Sequence, residues 1–300
     1  MNEKLNLLQK RDFSGVINAS FAFLSQEFKS YGAMFALFTG VPILLMAGIS
    51  VWFMNLVPQD MQAGELPGAG FWWAFTFIMV FSFFIFALVF GTTGAYMSLY
   101  VREGAGNFQR KDVWAHFLQN LGKMLGVLLL GGALFLAIAL VVGVVLGFLA
   151  SADALPWYLV VFLSLLFVGL MIYTWVPLSM VHMVVFHEEL SAFQALGKVF
   201  TLVRGAWWQT FGVLFVLMII YSILGMIFSI PMMAYPVFQE LSGAGVVESM
   251  SLVFIALSVF SVLGRFALYP ILLVGIGVQY FSLKAGSDND DLLRKVEAIS

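Results

Sequence analysis

The stretch GKMLGVLLLGGALFLAIALVVGVVLGFLA, residues 122–150, decides the fold of this chain, and Lys123 is its one charged residue. It is longer than the roughly 20 apolar residues that cross the hydrocarbon core of a bilayer as a helix. Because lipid offers no hydrogen-bond partners, a backbone in that core must satisfy its own donors and acceptors. The stretch therefore predicts a transmembrane helix.

The rest of the chain has the same apolar character. Of its 300 residues, 62% are hydrophobic and 10% are charged, and the mean hydropathy is +1.01, whereas soluble domains are roughly 45–50% apolar and about 25% charged. The sequence predicts an all-α fold, a polytopic helical membrane protein with six transmembrane helices arranged as three hairpins. The apolar stretches are residues 33–57, 71–98, 124–150, 157–185, 211–234 and 251–283.

The distribution of basic residues predicts the orientation in the membrane. Segments 58–70, 151–156 and 235–250 contain no Lys or Arg. Because cytoplasmic loops carry the excess of Lys and Arg, both termini are predicted to lie in the cytoplasm. Thirteen of the 14 basic residues fall on that side: Lys4, Lys10, Arg11, Lys29, Arg102, Arg110, Lys111, Lys123, Lys198, Arg204, Lys284, Arg294 and Lys295.

Each hairpin is preceded by a segment with helical periodicity. Apolar residues recur every three or four positions within residues 13–28, 114–125 and 193–203, and polar residues occupy the other face. Such a pattern is typical of an amphipathic helix that lies in the membrane interface. We therefore predict a cytoplasmic amphipathic helix before each of the three hairpins.

The same arrangement, a surface helix followed by a hairpin, recurs three times. It predicts one six-span domain over residues 1–283, built from repeat units of about 12–98, 110–185 and 188–283, and a short cytoplasmic tail over 284–300. Two alternatives stay open from the sequence. The units are either true repeats or three ordinary hairpins, and 251–283 is either one long span or an outer interfacial helix followed by a shorter span.

Residues 174–216, TWVPLSMVHMVVFHEELSAFQALGKVFTLVRGAWWQTFGVLFV, and 269–284, YPILLVGIGVQYFSLK, carry a family resemblance. The Pro near the end of a span, the acidic step, the surface helix and the Leu-Val-Arg-Gly-x-Trp-Trp-x-Thr-Phe-Gly run are similar to a bacterial six-span membrane family. That family is related to the membrane domain of glycerophosphodiester phosphodiesterases. The resemblance implies the six-span fold and no catalytic domain, and it carries no functional residue over to this chain.

Helix-breaking residues occur in the second helix of every predicted hairpin. They are the run Gly91-Thr92-Thr93-Gly94, which contributes Thr92 and Thr93 to the candidate residues, then Pro177 and Pro270. Because a proline in a span frees a carbonyl and kinks the helix, we predict that these helices splay around a shared inward-facing groove. The alternative is the ordinary use of Gly and Pro in membrane helices.

Arg265 is the basic residue that interrupts an apolar run. One interpretation places it near the outer boundary of the membrane, where it snorkels or pairs with Glu240 or Glu248. The other makes it an intramembrane cation that faces a cavity and contacts an anionic headgroup or substrate. With the three breaker sites and His182 it completes the set of candidate groove residues.

No recognisable catalytic or metal motif accompanies these residues. The chain has no Cys, which excludes thiolate nucleophiles and cysteine metal sites. His182 and His187 are about 140° apart around a helix, so they do not converge on a metal ion. We expect no cofactor and no metal, and Glu188 and Glu189 are interpreted as the acidic start of the third surface helix.

Two glycine pairs indicate that another helix packs closely against the third apolar stretch. Gly122 and Gly126, and Gly143 and Gly147, are spaced four apart and let another helix approach closely. Packing within the chain is the favoured interpretation, with association between chains as the alternative.

The functional prediction follows from these observations. We expect a non-enzymatic multi-pass protein of a bacterial inner membrane that acts as an assembly, scaffold or lipid-interacting component. Its expected partners are membrane lipids and other membrane proteins. With a net charge of −2 it shows no basic excess that would point to nucleic acid. The alternative function is a transporter or channel for a lipid-like or small amphipathic substrate.

Overall fold

The computed structural model describes residues 4–61, 68–151, 156–241 and 252–297. Over these ranges the chain is all-α and contains no strand. Its helices are α1 (Phe13–Met61), α2 (Ala69–Glu103), α3 (Arg110–Ser151), α4 (Trp157–Leu178), α5 (Val181–His187), α6 (Ala192–Val203), α7 (Trp207–Leu241) and α8 (Leu252–Glu297).

Six helical regions of the described chain are long and apolar enough to cross a membrane. α4 and α5 together form the fourth of them, and each predicted apolar stretch corresponds to one region. The predicted all-α class with six membrane-spanning helices is confirmed. The pairing into hairpins and the orientation stay predictions. The regions are Phe13–Ser50, Ala69–Glu103, Arg110–Val145, Tyr158–His187, Trp207–Leu241 and Leu252–Asn289.

The segments predicted as surface helices are helical, but two of them are not separate elements. Residues 13–28 and 114–125 run without a break into the spans, and the helices continue through Gly32 of α1 and Gly122 of α3. The third segment forms the separate helix α6. Their position in the membrane interface stays a prediction.

α6 begins at a polar cap and presents two kinds of surface. The Ser191 backbone N–H donates to Gln194 Oε1 at 3.2 Å, which satisfies one of the amides left free at a helix start. The inward face carries the buried residues Ala195, Val199 and Val203. Phe193, which belongs to the predicted apolar face, points outward with 79% of its surface exposed.

The last apolar stretch is one continuous helix. α8 runs from Leu252 to Glu297 through Pro270, so no separate outer helix precedes the sixth span in the described chain. Helical structure also extends through most of the predicted tail, residues 284–300. Between the two alternatives for 251–283, the structure supports the single long helix.

The chain divides into two compact units. Unit 1 comprises Met1–Val16, Gly94–Leu214 and Ile276–Ser300, and unit 2 comprises Ile17–Thr93 and Phe215–Gly275. The predicted threefold repeat follows different boundaries and stays a prediction.

The interior of unit 1 is formed by aromatic and thioether side chains around α5. Phe117 of α3 stacks on Phe186 of α5, with ring centroids 6.2 Å apart and an interplanar angle of 10°. Gly277 of α8 faces Met97 of α2 and Met183 of α5 so closely that an added Cβ would overlap both. Glycine here permits the close approach of three helices.

The interior of unit 2 also contains a stacked pair of rings and a glycine at a close helix contact, on other helices. Phe35 of α1 stacks on Phe266 of α8, with ring centroids 4.9 Å apart and an interplanar angle of 17°. Gly264 of α8 lies against the ring of Phe228 of α7, where an added Cβ would overlap ring carbons. Tight helix contacts in this unit therefore depend on small residues facing rings.

Candidate functional site

The six predicted groove residues are divided between the two units. Thr92, Thr93, Arg265 and Pro270 belong to unit 2, whereas Pro177 and His182 belong to unit 1. The two prolines also differ in effect. Pro177 is the penultimate residue of α4 and is followed by a turn before α5, while α8 continues through Pro270. The groove shared by all six residues stays a prediction.

The hydroxyls of Thr92 and Thr93 are used inside unit 2, and both residues are fully buried. Thr92 Oγ1 donates to the Leu88 carbonyl at 2.7 Å. Thr93 Oγ1 donates to the Val89 carbonyl at 3.1 Å, and the Tyr31 hydroxyl lies 2.9 Å from the same oxygen. Because the Thr93 proton is committed to Val89, Tyr31 is the donor in this contact.

Arg265 lies inside the sixth apolar helix and contacts a neighbouring span. Its Nε–H donates to Ser229 Oγ of α7 at 2.7 Å, and the Ser229 hydroxyl donates to the Gly225 carbonyl at 3.1 Å. Within the described chain no ion pair joins Arg265 to Glu240, and Glu248 lies outside the described residues. The arginine is exposed, so its charge is available at the helix surface.

His182 is a core residue of unit 1, with 1% of its surface exposed. It hydrogen-bonds the Ser179 backbone in the turn that separates α4 from α5. The first six residues of α5, from Val181 to Phe186, are all buried. Gly94 of α2 makes room for this short helix, because an added Cβ would lie 2.8 Å from the Phe186 ring.

The end of α5 is capped by side chains from two other helices. The Phe186 carbonyl accepts hydrogen bonds from Ser98 Oγ of α2 at 3.0 Å and from His116 Nε2 of α3 at 2.9 Å. Because a carbonyl only accepts, the His116 proton is on Nε2. The last carbonyls of a helix have no partner within it, and here they obtain one from the surrounding helices.

Two cations complete the cap at the α5–α6 junction, which we define as residues His187–Ser191. Arg102 Nη2 donates to the His187 carbonyl at 2.5 Å, and Lys123 Nζ donates to the Glu189 carbonyl at 2.8 Å. Positive charge at a helix C-terminus is stabilised by the helix dipole. Both cations therefore stabilise the end of α5.

Glu188 connects the junction to α8. Its Oε1 accepts a hydrogen bond from the Tyr280 hydroxyl at 2.7 Å and lies 3.3 Å from Lys284 Nζ. Tyr280 is fully buried, and the Glu188 side chain is 15% exposed. One carboxylate oxygen thus binds two donors from successive turns of the same helix.

Glu189 lies in the turn between α5 and α6. It has φ of 55°, a left-handed conformation that is uncommon outside glycine. Its Oε1 lies 2.5 Å from Arg102 Nη1, and both side chains are partly exposed. The hydrogen bond from Arg102 holds the pKa of the Glu189 carboxyl below its ordinary value.

The sequence did not identify this junction as the place where five helices meet, namely α2, α3, α5, α6 and α8. Glu188 and Glu189 were interpreted as the start of a surface helix, but they pair with side chains of α8 and α2. Among the described residues, no group of three His, Asp or Glu could hold a metal ion. In the sequence, the signal for this junction was a pair of adjacent carboxylates on the predicted cytoplasmic side, where most of the basic residues lie.

A cavity of about 410 Å³ opens beside the turn between α6 and α7. Gly205 has φ of +90°, which glycine adopts without steric cost, and this turn places the exposed Arg204 at the cavity. The opposite wall is aromatic: Trp207 Nε1–H donates to the Tyr173 carbonyl at 3.3 Å, and the two rings stack with centroids 5.6 Å apart. Pro177 of the predicted groove also lines this cavity.

A second, wide-open apolar cavity of about 490 Å³ lies along one face of α4, and every residue that lines it belongs to this helix. Its lining residues follow the helical repeat, so they share a single face of α4. Gly169 forms a notch in the middle, with nothing within 4 Å of where a Cβ would be. The lining residues are Phe162, Leu165, Leu166, Gly169, Leu170 and Tyr173.

α3 carries an open face of small residues. Only 6% of the residues in its most apolar window are buried. Gly126 packs within the chain, since an added Cβ would lie 3.1 Å from Ala192 Cβ, but Gly122, Gly143 and Gly147 have no atom within 4 Å of such a position. The favoured interpretation of packing within the chain is therefore wrong for Gly122, Gly143 and Gly147.

Comparisons with protein-family models, with curated proteins and with solved structures found no match to this chain. The resemblance to the six-span family related to the glycerophosphodiester phosphodiesterase membrane domain stays a prediction.

Proposed function

We propose that this integral membrane protein is a non-enzymatic assembly component of a bacterial inner membrane, and that α3 packs against α3 of a second copy. The observation that carries the proposal is the open face of α3, on which three small residues lie beside the exposed Leu136. Gly132, Ala139 and Gly143 fall within about 40° of one another around the helix at 100° per residue. All three are exposed.

Small residues at this spacing have a physical meaning in lipid. Lipid tails are as apolar as leucine, so burial of apolar surface gives helices little reason to associate. Glycine and alanine let two helix backbones approach closely, and the packing between them drives the association. A face of this kind that nothing in the described chain covers is suited to a helix from another molecule.

The hydrogen bonds of the polar side chains in unit 1 also favour a structural role. Arg102, Lys123 and Tyr280 contact the α5–α6 junction, and these contacts fix a turn between helices. A fixed turn positions α3 and α6, which pack on each other within unit 1. A firmly positioned α3 is what a docking helix requires.

The alternative, a transporter or channel for a lipid-like substrate, stays a prediction. The exposed Arg265 in a span is the observation that favours it, because an ionisable residue at membrane depth is costly and is commonly functional. Arg265 contacts Ser229 and forms no ion pair with an acidic side chain in the described chain. We rank this alternative second, because Thr92 and Thr93 use their hydroxyls in buried contacts.

The test is self-association of the full-length protein in lipid vesicles. The chain has no Cys, so Lys111→Cys provides a single labelling position for donor and acceptor fluorophores. Energy transfer that rises with the protein-to-lipid ratio is expected. In Gly143→Leu the new side chain blocks close approach, and association should weaken about tenfold, the effect of losing about 1–2 kcal/mol of helix packing.

Gly131→Leu is the matched control. Gly131 belongs to the same helix and has nothing within 4 Å of its added Cβ, but it lies about 100° away from the centre of the proposed face. Its association should match that of the unsubstituted protein. Equal weakening by both variants, or energy transfer no greater than that of randomly mixed labels, would refute the proposal.

A further inference from the structure

Arg204 is an exposed cation at the wall of the cavity between α6 and α7. Its backbone is fixed by the end of α6, where Arg204 N–H donates to the Thr201 carbonyl at 3.3 Å. The structure gives its guanidinium no hydrogen bond or ion pair within the described chain, and none of the described residues that line the cavity is acidic. A guanidinium in this position is suited to a phosphate, which it binds through two parallel hydrogen bonds.

Tyr173 belongs to the walls of both cavities. On one side of it lies Arg204, and on the other the apolar face of α4 runs back to Phe162. Phe162 and Leu165 are 56% and 65% exposed, although they are large and apolar. The face extends over about 16 Å at 1.5 Å per residue, which is about half the thickness of the hydrocarbon core, or one leaflet.

We propose that an anionic phospholipid binds to this surface of unit 1, with its phosphate at Arg204 and one acyl chain along the α4 face through the notch at Gly169. Trp207 lies near the point where the Arg204 cavity meets the α4 face, and tryptophan is enriched at the depth of the lipid headgroups. The predicted orientation places the Arg204 end in the cytoplasmic leaflet. The proposal uses no residue of the α3 face, so either proposal can fail without the other.

The combined shape is what selects a lipid. A free phosphate would use the Arg204 cavity but would leave the α4 face empty. A zwitterionic lipid would fill the α4 face, but its own positive group would oppose Arg204. An anionic phospholipid matches both the charge and the apolar length.

The experiment is native mass spectrometry of the full-length protein in detergent. The probes are dioleoyl phosphatidylglycerol, dioleoyl phosphatidylcholine and glycerol 3-phosphate. The first phosphatidylglycerol should bind about tenfold more tightly than phosphatidylcholine, because the choline cation offsets the attraction between Arg204 and the phosphate that both lipids carry. Glycerol 3-phosphate, which lacks acyl chains, should not bind measurably.

Two variants test the two halves of the site. Arg204→Gln should reduce phosphatidylglycerol binding about tenfold, to the level of phosphatidylcholine. Arg110→Gln is its control, because it removes the same charge from an exposed position at the start of α3. Gly169→Leu should weaken both lipids by filling the notch, whereas Gly48→Leu, at another open and exposed glycine, should not.

Three results would overturn the proposal. They are equal binding of the two lipids, an equal loss in Arg204→Gln and Arg110→Gln, and retention of glycerol 3-phosphate as strongly as phosphatidylglycerol. Unfolding of each variant, followed by tryptophan fluorescence, must match the unsubstituted protein. Arg204→Lys keeps the positive charge and should retain a preference for phosphatidylglycerol, so a loss of that preference would also contradict the proposal.

Discussion

The hydrogen bond between Tyr280 and Glu188 gives the sharpest test of the α5–α6 junction. Tyr280→Phe removes one hydroxyl from a fully buried ring and changes nothing else in the packing. The lost bond is 2.7 Å long and its acceptor is a carboxylate. Hydrogen bonds to charged groups contribute about 1.5–3 kcal/mol, so the free energy of unfolding should fall by about that amount.

Lys284 makes the prediction more specific, because it approaches the same oxygen of Glu188 at 3.3 Å. After either single substitution, Tyr280→Phe or Lys284→Met, one donor remains on the carboxylate. After both, a carboxylate that is 15% exposed has lost both donors. Leaving a buried charge without a partner is costly, so the double variant should lose about 1 kcal/mol more than the sum of the two single variants.

The assay is reversible unfolding in mixed micelles with increasing dodecyl sulfate, followed by the fluorescence of the eight Trp residues. Tyr173→Phe is the control, because this tyrosine is 56% exposed and the structure assigns its hydroxyl no hydrogen bond. Its unfolding free energy should change by less than about 0.5 kcal/mol. If Tyr280→Phe also changes it by less than that, the hydroxyl does not stabilise the junction and our reasoning is wrong.

Two further predictions concern charge and close packing. Because Arg102 lowers the pKa of Glu189, this carboxylate stabilises the fold above its ordinary pKa, and that stability is lost as the pH falls through the lowered value. Glu189→Gln should therefore lower the thermal midpoint at neutral pH. The gap in thermal midpoint between the variant and the unsubstituted protein should close on acidification. A gap that stays constant down to pH values well below the ordinary carboxyl pKa would contradict this. Gly264→Ala should destabilise the protein by about 1–3 kcal/mol, since its Cβ would overlap the ring of Phe228. The control Gly48→Ala, with open space around it, should change stability by less than about 1 kcal/mol, and equal effects of the two would show that the Gly264 contact is not tight.

The candidate site was only partly predictable from the sequence. Thr92 and Thr93 were identified as part of a helix-breaking run, but α2 continues through them. Their hydrogen bonds depend on where Tyr31 and the preceding turn lie. Pro177 was identified as a helix breaker, and α4 does end next to it. Its place beside Arg204 in one cavity was not predictable, because the two residues are 27 positions apart and meet only through packing.

The sequence by itself determined the helical class and the six spans, because long uncharged runs have one stable backbone conformation in lipid. Stretch 122–150 was sufficient to predict one transmembrane helix, and α3 extends over it; the other five apolar stretches predicted the remaining spans. Only the tertiary structure decided which polar residues meet. Glu188 binds Tyr280 across 92 positions of chain, and no local pattern encodes a distance between two helices. It also decided that Gly143 stays open, because whether a glycine is covered depends on the neighbouring helix and not on its own spacing.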